Sequence, residues 1–203
     1  YLGEAGSSFT FEVAQKNGIP YSLINRSKKK VEGGNIEESL DAIALVKVVK
    51  RQLEDVMDPE LPFLSVSDMG ILRDVIFENG HTICIITPTY SGCPATDIIH
   101  KEVLAAARVM DPKSEVRIAL SPAWTTDWLS ESGKQKMEAY GIASPLEETA
   151  DKEALLGNAK SVKCTNCKSK NTHLVSQFGS TACKALFKCN DCQEPFDYFK
   201  CLK

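Results

Sequence analysis

Four cysteines toward the C-terminal end form two CxxC turns, Cys164 with Cys167 and Cys189 with Cys192, on either side of residues 168–188. Each CxxC turn offers two sulfurs to one ion, and two turns complete the four-sulfur tetrahedron that zinc favours. Between them lie a strand-like run from Thr172 to Phe178, a turn at Gly179 and a second run from Ala185 to Lys188, enough for a hairpin that brings the turns together. The spacing predicts a structural zinc ribbon; a redox CxxC or a pair of disulfides is the alternative. Cys183 and Cys201 share this segment, but using either would break a CxxC knuckle and leave a sulfur spare. Cys164, Cys167, Cys189 and Cys192 are therefore the expected ligands, with Cys183 and Cys201 as free thiols, packed or partner-facing.

A second chemical candidate is the loop Thr87-Pro88-Thr89-Tyr90-Ser91-Gly92-Cys93-Pro94. Pro94 suits the first position of a helix, which puts Cys93 at the N-cap, where free N–H groups and the helix dipole favour a thiolate. Gly92 allows a close backbone approach, and Thr87 and Thr89 can order the loop. Such a thiolate reads as a nucleophile or as a ligand for a soft metal, while a small residue fitted to a tight cap is an equally simple reading. No catalytic base accompanies it. His100 lies two turns further along the helix, roughly 10 Å away; His81 sits at a hairpin turn and His173 in the ribbon. A Cys–His pair must lie within hydrogen-bond reach, so a metal site completed by a second chain or a small thiol fits better. Asp58, Glu60 and Asp68 are the acidic residues expected to face this loop, Asp58 by capping its own turn and Asp68 by orienting the surroundings of Cys93. Asp55, Asp74 and Glu78 read as surface.

These residues need elements to position them. Ile36, Leu40, Ile43, Val46, Val49, Leu53 and Val56 recur at helical spacing, and that helix must end before Asp58-Pro59. Ile71 to Phe77 and Thr82 to Thr87 read as strands joined through Glu78-Asn79-Gly80-His81, with Asn-Gly supplying a tight hairpin turn. A second helix is expected over 95–110, a third strand over 115–120, a loop over 124–128 and a short helix over 132–140, stopped by Gly141. The fold class is α+β, a small sheet with helices packed on one face, followed by the ribbon. The domain boundaries follow: an N-terminal extension or fusion remnant over 1–35, the α+β domain over 36–143, a polar linker over 144–160 and the ribbon over 161–203.

Composition narrows the rest. At 203 residues, 43% hydrophobic and 25% charged, the chain can hold one modest core and a small appendage. It has no run of eighteen apolar residues and no signal-like opening, so the expected location is the cytoplasm, where eight cysteines stay reduced. The net charge of −3 combines an acidic central domain with a mildly basic ribbon. Even with lysines interleaved among Phe178, Phe187, Phe196, Tyr198 and Phe199, that is a weak footprint for nucleic acid.

Asp58-Pro59-Glu60-Leu61-Pro62, Asp68-Met69-Gly70-Ile71-Leu72 and the Cys93 loop together are similar to the SufT-like iron–sulfur assembly domain family. Trp124 to Ser130, Gly141-Ile142-Ala143 and the ribbon passages Phe178 to Ala185 and Glu194 to Cys201 resemble its PaaD branch, which serves aerobic phenylacetate degradation. The resemblance runs from about residue 36 to the end; Met69, where the wider family usually has leucine, is a volume-conserving departure. It implies a non-enzymatic maturation factor for the multicomponent phenylacetyl-CoA epoxidase. Its partners would be the epoxidase components, above all the iron–sulfur reductase, and iron–sulfur scaffold proteins. Carried over by position, the cluster-binding or reactive thiol is Cys93, with Asp58, Glu60, Asp68, Thr87 and Thr89 around it. The implied cofactors are structural zinc and a transient iron–sulfur cluster, which one ligand per chain would share across a homodimer. Three rivals differ in class. One is a ribbon module that docks a partner or nucleic acid, and another is a thiol enzyme. The third is an accessory subunit of the epoxidase, although no di-iron carboxylate set and no flavin or nicotinamide loop is visible.

Overall fold

The computed structural model describes residues 36–145 and 162–200, with side chains from Asp41 onward. The readings of residues 1–35, of most of the linker and of Cys201 fall outside these residues. Helix α1 (Ile36–Leu53) buries Val49 and Leu53 completely and Ala42 nearly so, with Leu45 and Val46 packed alongside. Ile43 is 41% exposed, contrary to the expected stripe. It lies six residues before Val49, more than a quarter-turn off the face that Ala42, Leu45 and Val46 share with Val49 at seven-, four- and three-residue steps.

Strands β1 (Leu72–Glu78) and β2 (His81–Ile86) form the expected antiparallel hairpin. Asn79 and Gly80 both have positive φ, 54° and 81°, the geometry an Asn-Gly turn supplies with little strain. Helix α2 (Thr96–Met110) then crosses over so that β3 (Glu115–Ile118) pairs parallel to β2. Alternation along β2 divides its side chains. Cys84 and Ile86 enter the main core with Val75, Val49, Leu53, Ile99 and Val103, while Ile83 and Ile85 join Ile76 in a separate cluster. The α+β class is as expected.

A single 3-10 turn (Thr126–Trp128) leads to helix α3 (Glu131–Ala139), which is capped by Ser130 and followed by Gly141 at φ 79°. A two-residue strand, β4 (Ile142–Ala143), comes next, and no sequence pattern announces it. It pairs in parallel with β7 (Pro195–Phe199), giving a second sheet of order β4-β7-β6-β5 with β6 (Lys184–Cys189) and β5 (Thr172–Ser176). The ribbon is thus seated on the α+β domain rather than merely tethered to it. Phe199 packs edge-on against Trp124, ring centroids 6.0 Å apart, and both Phe199 and Cys183 belong to the main core.

Candidate metal centres

The ribbon sulfurs converge. Cys164, Cys167, Cys189 and Cys192 place their Sγ atoms within 4.8 Å of one another, the one group of three or more such donors at that spacing among the described residues. Cys164 Sγ lies 3.6 Å from Cys192 Sγ, and Cys167 Sγ lies 3.5 Å from Cys189 Sγ. A tetrahedron with metal–sulfur bonds of about 2.3 Å has sulfur–sulfur edges of about 3.8 Å, so this donor set fits a four-sulfur metal site of the zinc type. The two knuckles match each other. Cys164 N–H donates to Ser169 O and Cys189 N–H to Glu194 O, and the residue after each CxxC, Lys168 and Gln193, adopts positive φ. Asn171 Nδ2 donates to Asp191 Oδ1 at 2.7 Å and joins the knuckles.

The second centre is the pocket around Cys93. It is lined by Asp58, Glu60, Thr89, Cys93, Thr96 and Cys183 over an apolar floor that includes Met69 and Ile99. Its free volume is about 10 Å³, space for roughly one water and far too little for an organic substrate. The regular helix begins at Thr96 with Ala95 as N-cap, two residues later than expected, because a tighter turn precedes it in which Thr96 N–H donates to Cys93 O at 3.2 Å. The Ala95 N–H and the Thr96 hydroxyl are the neighbouring groups that favour a Cys93 thiolate. Thr96 Oγ1 is buried and has no hydrogen-bond partner among the described residues.

The expected low-pKa thiol is not what this pocket makes. Burial pushes the Cys93 thiol up, Glu60 and Asp58 add to that, and the Ala95 N–H and Thr96 hydroxyl pull the other way without prevailing. Burial also raises Asp58, although its Oδ1 accepts the backbone N–H groups of Glu60 and Leu61, each at 2.8 Å, as the cap of its own turn. Cys84 lies on β2, fully buried, with burial pushing its thiol up to about 12.

Of the sequence-derived site residues, Asp58, Glu60, Thr89 and Cys93 meet in the pocket. Thr87 and Asp68 do not line it. Thr87 is buried, its N–H donating to Ile71 O at 2.8 Å and prolonging the hairpin. Asp68 instead anchors α3, accepting from Ser130 Oγ at 2.7 Å and from Lys136 Nζ at 2.6 Å. The histidines lie elsewhere. His81 contacts Asn79 O and Glu115, His173 contacts Asn190, and His100 is not among the pocket residues. Sequence reasoning missed Cys183 as a pocket residue delivered from the far domain, and the influence of the Cys93 and Cys183 charges on Tyr90. Nothing local marks Cys183, since its position depends on how the ribbon docks.

Comparison with known proteins bears on both centres. Residues 148–200 match the family model described as the PaaD zinc beta ribbon domain, and residues 47–119 match that of the iron-sulfur cluster assembly protein. A protein of Escherichia coli (strain K12), provisionally named as one of the subunits of 1,2-phenylacetyl-CoA epoxidase, is 40% identical over 151 residues, which span 74% of this chain and 89% of that protein. The chain belongs to the PaaD family. The chain thus joins an iron–sulfur assembly domain to a PaaD-type ribbon, as the sequence motifs implied. The Fe-S protein maturation auxiliary factor YitW of Bacillus subtilis (strain 168) is 38% identical over 94 residues, 45% of this chain and 91% of that factor. A domain of unknown function from Bacillus anthracis, known from a crystal structure, is 26% identical across 49% of this chain and 96% of its own, with a TM-score of 0.45. No described helix is long and apolar enough to cross a membrane.

Proposed function

We propose that this chain is an iron–sulfur assembly or transfer factor that matures the phenylacetyl-CoA epoxidase, with the epoxidase's iron–sulfur reductase as client, and that it is not itself an enzyme. Residues 36–143 hold the cargo, residues 161–203 form a zinc ribbon liganded by Cys164, Cys167, Cys189 and Cys192, and residues 144–160 connect them. The observation that carries this reading is the setting of Cys93. Its sulfur lies near the Ala95 N–H, the Thr96 hydroxyl and two carboxylates in a pocket without an imidazole. Those are surroundings for a metal-bound sulfur and offer a nucleophile no histidine base. Family membership and the names of the two relatives point the same way.

The accessory-subunit reading is favoured by the name of the Escherichia coli relative. Nucleic-acid binding loses most of its stacking platform, because Phe187, Phe196, Tyr198 and Phe199 are 0–4% exposed as ribbon core and Phe178 alone of the five stays exposed, beside Lys200. Anaerobic reconstitution of the full chain with ferrous iron and sulfide separates the first two. The assembly reading expects cluster absorbance that Cys93→Ser abolishes with zinc content unchanged. An accessory component of the epoxidase would take up no cluster in either form.

A further inference from the structure

Cys183 is the thiol the fold places most unexpectedly. It precedes β6 in the ribbon, and its backbone oxygen accepts the Lys200 N–H at 2.9 Å, which fixes it to the strand that carries Phe199 into the main core. Its side chain is 7% exposed and lines the same pocket as Cys93. Cys183 Sγ lies 3.0 Å from Thr181 Oγ1 and 3.9 Å from Glu60 Oε2, and the charges of Cys93, Cys183 and Glu60 are felt together at Tyr90. Two sulfurs and a carboxylate from three separate segments therefore converge on one small space.

We propose that Cys183 is the second sulfur ligand of the cargo held at Cys93, with Glu60 as an oxygen donor, so that an iron–sulfur cluster sits between the ribbon and the assembly domain of a single chain. This rests on the reading of Cys93 given above. Soft thiolates are the usual ligands of such clusters. Each thiol loses its proton to solvent as its iron–sulfur bond forms, with no change in the oxidation state of the cysteine sulfur. These donors are spread more widely than the four ribbon sulfurs, but the space between them holds about one water, so a cargo with more than one iron atom enters only as the docked ribbon gives way around Cys183. Two sulfurs and a carboxylate from one chain supply three of the roughly four ligands such clusters usually take, which leaves one position for a small thiol or the client protein. The ribbon gains a purpose beyond folding: it carries a ligand, and its docking opens or completes the pocket.

The test uses the full chain, loaded anaerobically with ferrous iron and sulfide, and counts iron, sulfide and zinc per chain for the wild type, Cys93→Ser, Cys183→Ser and Cys183→Ala. Both Cys183 variants are expected to lose at least tenfold in retained iron after desalting while keeping their zinc. A short bifunctional thiol cross-linker should bridge Cys93 to Cys183 in the unloaded wild type, and loading should block that bridge. Cys183 variants that load fully while Cys93→Ser fails would overturn the second ligand and leave Cys93 standing. Full loading of Cys93→Ser would sink both. If the Cys183 variants lose zinc as well, the cross-link decides: protection by loading supports the proposal, and a bridge that forms equally in loaded protein refutes it.

Discussion

Asp68 Oδ1 accepts a 2.7 Å hydrogen bond from the Ser130 hydroxyl, tying the segment after α1 to the start of α3 across 62 residues of sequence. The Ser130 backbone N–H also donates to Asp68 O at 2.9 Å, and Lys136 Nζ completes the clasp at 2.6 Å from the other carboxylate oxygen. A hydrogen bond to a charged group contributes about 1.5–3 kcal/mol. Asp68→Ala is expected to lower stability by about 2 kcal/mol in urea denaturation. Because Asp68 does not line the Cys93 pocket, the folded variant should load iron as the wild type does. A loading defect in stable protein would return Asp68 to the site.

Gly70 has φ 64°, and a Cβ built there would lie 2.3 Å from Trp128 O. Both the left-handed backbone and the contact exclude a side chain. Gly70→Ala should therefore cost more than the roughly 1 kcal/mol of backbone strain alone and displace the Trp128 ring from its place 3.3 Å from the Arg73 guanidinium. Tryptophan fluorescence together with thermal melting would register both effects. An unchanged melting temperature would contradict this account of the turn.

Burial on its own would raise Asp111, yet the N–H and hydroxyl of Thr82 and the N–H of Lys113 hold its carboxyl below the usual range, aided by His81. The other titratable neighbour facing it is the Cys84 thiol, which stays protonated at neutral pH. Asp68 is depressed likewise, burial being outweighed by Lys136 and Ser130. A carboxylate whose folded pKa lies below its unfolded value of about 3.9 stabilises fully above that value. The contribution fades as pH falls through the folded pKa. Stability is thus expected to drop below about pH 4, and Asp111→Asn should be less stable at neutral pH and show a shallower acid loss. Equal acid sensitivity in the variant would remove Asp111 from this role.

Replacing any one of Cys164, Cys167, Cys189 or Cys192 by serine is expected to release zinc and unfold the ribbon, since metal binding supplies most of the folding free energy of such units. Cys183→Ser and Cys201→Ser should keep a full equivalent. Because Cys183 reaches the Cys93 pocket only through the docked ribbon, the ligand variants should also lose iron loading. Loss of zinc from Cys201→Ser would show the ligand set to be wrong.

Local features are legible in the sequence. The Asn79-Gly80 hairpin, α2, the Gly141 stop and the four-sulfur knuckles each follow from residues a few positions apart, where turn chemistry and helical period act directly. Legibility is poorer where distant segments meet. β4 is two residues long and exists because β7 lies beside it, so no periodicity announces it. The motif suggests that Asp68 faces the Cys93 loop, whereas Ser130 and Lys136, more than sixty residues away, claim its carboxylate. Cys183 reads as a spare thiol within the ribbon and becomes a pocket residue only when Phe199 docks against Trp124. The lowered pKa expected for Cys93 rests on dipole and N–H groups alone; burial and the neighbouring carboxylates outweigh them.

The most direct test of the central claim is transfer. Full-length chain loaded with an iron–sulfur cluster is mixed anaerobically with the apo form of the phenylacetyl-CoA epoxidase reductase in the presence of an iron chelator, and recovery of the reductase's cluster-dependent electron transfer is followed. The account predicts chelator-resistant recovery with wild-type chain and none with Cys93→Ser. Equal recovery with that variant, or none with loaded wild type, would contradict it.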